Sequence, residues 1–204
     1  MLGELNRLRR IAERLLVIAA AEGPEFLQRE PVELDSFTME ILRRWRPTAD
    51  RRWQLGRLDK VTVQADRERL GLAVDALLEN AVRHTASGDV IKLSVVAVGY
   101  GLPVRMIVAD SGQGIPAGLL RHVFDRFRSG DSGQPRGTGL GLALVSAVAR
   151  AHGGDVVVNS TPGQGSEFEL LLPAPAGPLA LMPGPAPGTP AGADAADGRL
   201  ARKP

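Results

Sequence analysis

Two glycine-bearing segments constrain the fold of this chain more than any other feature. Residues 110–116 (Asp-Ser-Gly-Gln-Gly-Ile-Pro) directly follow an apolar stretch that predicts a strand. Residues 137–142 (Gly-Thr-Gly-Leu-Gly-Leu) lead into an apolar segment that predicts a helix. Glycine lets a backbone turn sharply and approach a ligand closely, and N–H groups at the start of a helix bind phosphate oxygens. The two segments therefore indicate a nucleotide pocket, with two flexible turns as the simpler alternative.

Asp110 indicates which base such a pocket would accept. An ionised carboxylate only accepts hydrogen bonds. Adenine offers an exocyclic amine as a donor where guanine offers an oxygen, so a carboxylate at this place selects adenine. Gly112 and Gly114 would let the backbone approach the ring. The chain has no Gly-x-x-x-x-Gly-Lys sequence, so the phosphates would be held in another way. The ordinary alternative is an Asp-x-Gly turn without a ligand.

A long helix upstream carries polar residues suited to the phosphate end of the pocket. Asp66 is its predicted N-cap, and Asn80 lies on its polar side. The amide oxygen of asparagine is a hard ligand that suits Mg²⁺. Arg83 follows at i+3 on the same helical face and would meet phosphate charge, and His84 would stack on the base. The alternatives are a hydrogen-bonded core asparagine and a histidine that only ends a helix.

Residues 124–127 (Phe-Asp-Arg-Phe) combine two aromatic side chains with a central arginine. We expect the aromatics to anchor a short helix at residues 119–127 in the core while Arg126 reaches the nucleotide. A purely structural anchor is an equal alternative. The backbone of the second glycine segment is the predicted phosphate loop, formed by Gly137, Thr138, Gly139, Leu140 and Gly141.

The order of helical and extended patterns predicts an α+β fold, a two-layer sandwich of helices on a mixed β-sheet. Amphipathic patterns predict helices at residues 2–22, at 35–45 with Asp35 and Ser36 as the cap, from Asp66 onward and at 140–151. Apolar alternation predicts strands at residues 51–55, 60–64, 90–98, 104–109, 156–159 and 167–172. Residues 174–204 are mostly proline, alanine and glycine, which predicts a disordered tail.

Composition excludes several classes of protein. The 204 residues include no cysteine, so disulfides and cysteine metal sites are excluded. The 25 basic and 23 acidic residues are well mixed and give no argument for binding nucleic acid or an anionic membrane. No apolar run approaches the roughly 20 residues needed to cross a bilayer. We therefore expect a cytoplasmic chain.

Taken together, four segments resemble the asparagine, first glycine, phenylalanine and second glycine boxes of sensor histidine kinases. They are residues 78–81 (Leu-Glu-Asn-Ala), 110–114, 124–127 and 137–141. The resemblance covers roughly residues 55–173 and includes 152–154 (His-Gly-Gly) and 163–168 (Gly-Gln-Gly-Ser-Glu-Phe). It implies the Bergerat-type ATP-binding fold, with ATP and Mg²⁺ as cofactors.

The resemblance also implies roles for individual residues. Asp110 would contact adenine, Asn80 would bind Mg²⁺, and Arg83 with the glycine-loop amides would contact phosphate. His84 and Ser166 match positions that line the adenine end. Many family members carry another asparagine where this chain has Ala76, so one turn of metal support is absent.

Members of this family transfer the γ-phosphoryl group of ATP to a histidine on a separate dimerising helical hairpin. That histidine normally precedes an acidic residue, whereas the three histidines here precede Thr85, Val123 and Gly153. The resemblance therefore implies an acceptor outside this chain, which favours a fragment of a longer kinase over a natural ATPase-only relative.

The implied organisation has four parts: the second hairpin helix at residues 1–24, a connector with the first strand at 25–54, the ATP-binding domain at 55–173 and the tail at 174–204. The implied partners are the histidine-bearing dimerisation helix and a response regulator. The full-length parent would be a homodimer that can be anchored at the inner membrane.

Two rival functions remain. One is an anti-sigma-factor-type serine kinase of the same superfamily, and the other is a non-catalytic module that binds ATP or a response regulator. Related gyrase, chaperone and mismatch-repair ATPases carry a glutamate where this chain has Ala76, so rapid ATP hydrolysis is not expected. Glu79 lies about 100° round the helix from Asn80 and is a poor substitute base.

Overall fold

Five α-helices and seven β-strands build the part of the chain that the computed structural model describes, residues 2–21, 23, 26–99, 101–127 and 138–173. The helices are α1 Leu2–Ala20, α2 Leu34–Trp45, α3 Arg67–His84, α4 Ala117–Leu120 and α5 Gly141–Ala151, and a 3₁₀ turn spans Arg46–Thr48. The strands are β1 Glu30–Glu33, β2 Arg52–Leu58, β3 Thr62–Ala65, β4 Val90–Ala97, β5 Val104–Asp110, β6 Asp155–Thr161 and β7 Gly165–Leu172.

A five-stranded mixed sheet forms one layer, in the order β2-β4-β5-β7-β6. Strand β2 runs parallel to β4, and every other neighbouring pair is antiparallel. The register places Asp110, at the end of β5, opposite Ser166, at the start of β7. Strands β1 and β3 form a separate antiparallel pair. The predicted mixed sheet is confirmed.

Alternating side chains determine which face of the sheet meets the helices, because successive residues of a strand point to opposite faces. In β5 the buried positions alternate with half-buried ones. The buried strand residues form one core with apolar residues of α3 and α5, among them Val108, Phe168, Leu170, Leu77 and Val148. Burial of each such side chain stabilises the fold by about 1.5–3 kcal/mol, so this layer contact holds α3 and α5 on the sheet.

Local capping chemistry was predicted correctly for α3 and wrongly for α2. The Oδ1 atom of Asp66 accepts a hydrogen bond from the N–H of Arg69 at 2.9 Å, which confirms the predicted cap of α3. The N-cap of α2 is Glu33, which makes no side-chain cap bond, and Asp35 already lies in the first helical turn. A carboxylate in that turn still interacts favourably with the helix dipole, which explains the misleading signal.

Strand β1 was not predicted, because four residues that include Pro31 carry almost no alternation signal. The core includes Val32, Phe37 and Ile41 from the predicted connector as well as residues after 55. The four-part division of the chain stays a prediction, and residues 174–204 lie outside the described residues.

A buried histidine joins the start of α3 to the end of α5. His152 is only 1% exposed. Its Nε2 atom accepts a hydrogen bond from the N–H of Asp66 at 3.0 Å, and its Nδ1 atom donates to the carbonyl oxygen of Val148 at 2.8 Å. Burial lowers the pKa of His152 below its ordinary value of 6.5, although the hydrogen bond to Val148 opposes the shift. The neutral ring is therefore the form that the fold selects.

We predict that His152→Leu lowers the free energy of unfolding by about 1–3 kcal/mol, because it leaves the Asp66 N–H without an acceptor. As the pH falls below about 6.5, the unfolded chain binds the imidazole proton first, so the contribution of His152 is complete above that pH and declines below it. Urea unfolding at several pH values measures both effects.

His122→Leu is the control for this variant, because His122 is exposed on the turn after α4. The pH dependence of stability below about pH 6.5 should become shallower in His152→Leu than in the wild type, and it should change less in His122→Leu. Identical pH dependence in wild type and His152→Leu would contradict the assignment.

Candidate functional site

The last turn of α3 packs directly against the loop that follows β5. A Cβ atom added at Gly112 would lie 2.1 Å from the carbonyl oxygen of His84, so only glycine fits. The N–H of Gln113 donates to the same carbonyl at 3.2 Å, and the side chains of Gln113 and His84 hydrogen-bond at 2.8 Å. The structure thus brings His84, Asp110 and Gly112 together, as the sequence predicts.

Asp110 lies at the bottom of this loop with its carboxylate held by backbone groups. It is 9% exposed, and its Oδ1 atom accepts a hydrogen bond from the N–H of Gly112 at 2.9 Å. Burial raises the pKa of Asp110 above its ordinary value, and the charge of Asp89 adds to this shift, whereas hydrogen bonds from the backbone of Gly112 and Ser166 oppose it. The carboxylate is positioned as a fixed acceptor, which is the geometry that recognition of an amine needs.

The hairpin between β6 and β7 forms the second wall of the loop. A Cβ atom at Gly114, where φ is 68°, would lie 2.2 Å from the carbonyl oxygen of Thr161. The hydroxyl of Ser160 accepts from the N–H of Ile115 at 2.8 Å and lies 3.1 Å from the hydroxyl of Ser166. Ser166 pairs with Asp110 in the register of β7 on β5, so the two residues lie side by side.

Gly165 is a site residue that the sequence analysis missed. Its φ is 101°, and a Cβ atom there would lie 1.9 Å from the carbonyl oxygen of Asp110. A glycine between two predicted strands is explained by a turn alone, so the sequence carries no separate signal for the contact of Gly165 with β5. Close approach to the backbone of α3, of the β6–β7 hairpin and of β5 accounts for Gly112, Gly114 and Gly165, respectively.

The phosphate end of the candidate site lies where α3 packs on the start of α5. Leu140 is buried and Gly141 is the first residue of α5, while Gly139 has a φ of 65°. A Cβ atom at Gly141 would lie 3.9 Å from the Cβ of Ala76 on α3. Thr138 is half-buried just before the helix, and Gly137 lies outside the described residues.

Asn80 and Arg83 lie on the side of α3 near this contact. Asn80 is half-buried, and its side-chain amide makes no hydrogen bond to any of the residues that the structure describes. Partial loss of hydration lowers the pKa of Arg83; Glu79 opposes this shift, and the charges of Arg14 and Arg10 add to it. The guanidinium remains charged at neutral pH.

The two aromatics of residues 124–127 have different environments. Phe124 packs edge-on against Phe168 with ring centroids 6.4 Å apart, which confirms that it anchors this segment to the core. Phe127 is 66% exposed and has a φ of 63°, so the expectation that it also reaches the core is wrong. Helix α4 ends at Leu120, and the backbone at Phe127 turns its side chain outward. Arg126 is exposed.

Two further properties hold for the described part of the chain. None of its helices is both long and apolar enough to span a bilayer. Its histidine, aspartate and glutamate side chains form no group of three or more that could hold a metal ion.

Residues 65–176 match the family described as histidine kinase-, DNA gyrase B-, and HSP90-like ATPase. The probable sensor histidine kinase TcrY of Mycobacterium tuberculosis is 35% identical over 175 residues, 83% of this chain and 36% of TcrY. The solved ATP binding domain of PrrB from Mycobacterium tuberculosis is 29% identical with a TM-score of 0.60, covering 72% of this chain and 98% of that one. Full-length ShkA in complex with AMPPNP is 29% identical with a TM-score of 0.66, and the match covers 83% of this chain and 37% of ShkA.

This chain spans less than half the length of the first curated relatives that it matches over most of its own length. The match nevertheless covers both glycine segments and the whole of α3, and the solved structures share the helices and mixed sheet described above. The resemblance seen in the four sequence segments is thereby confirmed. The chain belongs to the histidine kinase-, DNA gyrase B-, and HSP90-like ATPase family, and it carries the catalytic ATP-binding domain of a sensor histidine kinase.

Proposed function

We propose that this chain binds ATP with Mg²⁺ and donates the γ-phosphoryl group to a histidine on a partner helix, from which a response regulator receives it. The observation that carries the proposal is the buried Asp110 carboxylate, held by backbone groups beside His84 and Ser166. A fixed acceptor in that setting suits the amine of adenine. The adenine end is thereby assigned to Asp110, Gly112, Gly114, His84 and Ser166.

The phosphate end is assigned to Asn80, Arg83 and the backbone from Gly137 to Gly141. The N–H groups at the start of α5 and the positive end of its dipole favour phosphate oxygens. The half-buried amide of Asn80 fits Mg²⁺, which in nucleotide sites takes few protein ligands and also binds phosphate oxygens. Bound Mg²⁺ would neutralise charge that develops on the phosphates, and Arg83 and Arg126 would add to this effect.

Transfer to another group fits the site better than hydrolysis of ATP does. Position 76 holds an alanine, so no carboxylate is available there to activate water. The neighbouring Glu79 forms an ion pair with Arg14, with 2.5 Å between Oε2 and Nη2, which makes it a poor base. Phosphoryl transfer itself needs mainly positioning and charge neutralisation, and the site offers both.

We place the acceptor outside this chain, because none of its three histidines precedes an acidic residue. Both ring nitrogens of His152 are hydrogen-bonded in the core, and His84 is bonded to Gln113 within the site itself. His122 is paired with Asp125 on the turn after α4. A histidine on a separate helix, supplied by the parent protein, is the acceptor that we propose.

Helix α1 has the surface that pairing with such a helix needs. Val17 and Ile18 are buried against the domain, whereas Leu8 and Leu16 are 61% and 70% exposed. With Ala12 between them, these residues are spaced by four and share one face of the helix. An apolar stripe of this kind supports a helical hairpin and a homodimer of the full-length kinase, acting at the cytoplasmic side where ATP is present.

We predict that Asp110→Asn weakens ATP binding by about 1.5–3 kcal/mol, because it removes a hydrogen bond to a charged acceptor. Titration with a fluorescent ATP analogue measures the change. Asp155→Asn, at the opposite end of the sheet, is the control and should bind like the wild type. Unchanged affinity in Asp110→Asn would remove Asp110 from the adenine contact.

We predict that Asn80→Ala weakens Mg²⁺-dependent ATP binding far more than it weakens binding of ADP in the presence of a chelator, because only the first depends on the metal. Calorimetric titration of the same variant under both conditions provides its own control. Equal losses under the two conditions would contradict the metal assignment.

Transfer is tested by incubating the chain with γ-labelled ATP and the separately produced histidine-bearing hairpin of its parent. We expect label on the hairpin in an acid-labile, alkali-stable form, which is the behaviour of phosphohistidine. Acid-stable label would favour the serine kinase. ATP binding without any transfer would favour the non-catalytic module.

A further inference from the structure

Arg14 of α1 reaches across to α3 and α5 at the phosphate end of the site. Its side chain is only 15% exposed, and its Nη2 atom lies 2.5 Å from Oε2 of Glu79 on α3. Its Nη1 atom lies 3.8 Å from the position that a Cβ atom would take on Gly141, the first residue of α5. One guanidinium therefore contacts the turn that carries Asn80 and faces the start of the phosphate-binding helix.

Small residues make room for this guanidinium. The Cβ of Ala76 and the Nη1 atom of Arg14 both lie within 4 Å of the same point, the place of a Cβ on Gly141. Ala76 is one helical turn before Asn80, so the space beside Asn80 that a longer side chain on α3 would occupy is open to Arg14. The sequence of α3 alone gives no sign of this, because the charged group comes from another helix.

Positive charge is in excess where α1, α3 and α5 meet. Arg14 and Arg10 of α1 are close enough to Arg83 to lower its pKa, and Glu79 is the carboxylate that opposes them. The N-terminus of α5 adds the positive end of a helix dipole. Among the side chains that the structure describes here, Glu79 balances one of these three arginines, so the cluster suits a ligand with several negative charges, such as a triphosphate.

We propose that Arg14 is a phosphate-binding residue of the ATP site, supplied by α1 and paired with Glu79 in this structure. The proposal rests on the proposed function, because it assigns the triphosphate to the same site. A guanidinium presents paired donors to phosphate oxygens and stays charged, which suits this role. Since Arg14 belongs to α1, nucleotide binding and docking of α1 on the domain would favour each other, because coupling between two binding equilibria is reciprocal.

The test compares Arg14→Ala with Glu79→Gln in the complete chain, with Arg9→Ala as the matched control. Arg9 is also on α1, but it is exposed and pairs with Glu13. Dissociation constants for MgATP and for adenosine are measured by calorimetry at low ionic strength. Adenosine occupies only the adenine end and so reports whether each variant retains a folded site.

We expect Arg14→Ala to raise the dissociation constant of MgATP about tenfold or more while that of adenosine stays within about twofold of wild type. Arg14→Lys should recover part of the loss because it keeps the charge. Glu79→Gln should bind MgATP as well as the wild type or more tightly, because it removes a negative charge and releases Arg14. Arg9→Ala should change neither constant.

A purely structural role for the ion pair predicts a different pattern. If Arg14 only tethers α1, then Arg14→Ala and Glu79→Gln break the same contact and should weaken MgATP binding equally. This result would overturn the proposal. Unchanged MgATP binding in Arg14→Ala, or equal losses of MgATP and adenosine, would also overturn it. If the role of Arg14 is overturned in this way but Asp110→Asn still weakens ATP binding, the proposed function stands. A wild type that binds no ATP would overturn the role of Arg14 and the proposed function together.

Discussion

The contact between the end of α3 and the loop after β5 is the constraint on which the nucleotide site depends. Helix α3 carries Asn80 and Arg83, and β5 ends at Asp110. Because the carbonyl of His84 lies against Gly112, the turn that carries Asn80 and the carboxylate of Asp110 keep a fixed separation. Any side chain at position 112 would push these two parts of the site away from each other.

Arg51 holds this end of α3 in place from outside the site. Its guanidinium donates to the carbonyl oxygens of Val82 and Thr85 at 3.2 and 2.9 Å and to the hydroxyl of Thr85 at 2.8 Å. Carbonyl groups in the last turn of a helix lack partners within the helix, and a cation there also suits the helix dipole. The edge strand β2 begins at the next residue, so the sheet and the helix end are joined by one side chain.

Features set by neighbours in the sequence could be predicted, and features set by distant residues could not. The cap at Asp66 and the alternation in β5 and β7 follow from local spacing, and with the glycine segments they lead to the fold and to the place of Asp110, His84 and Ser166. The pairing of Arg14 with Glu79 joins residues 65 positions apart, and no local pattern encodes it. Strand β1 likewise exists through its partner β3. The glycines are a third case. The sequence indicates that some group approaches the backbone closely at these positions, but it does not indicate which group.

The bond network around His152 implies that two helix ends far from the nucleotide open as one unit. The ring accepts from the first turn of α3 and donates to the last turn of α5, and the carboxylate of Asp66 also accepts from the N–H of Gln28 at 2.9 Å. Fraying of either helix end breaks a bond that the other needs, so amide protons of all three segments would exchange with solvent with a common free energy of opening. These bonds thus make one cooperative unit at the end of α3 opposite to the candidate site.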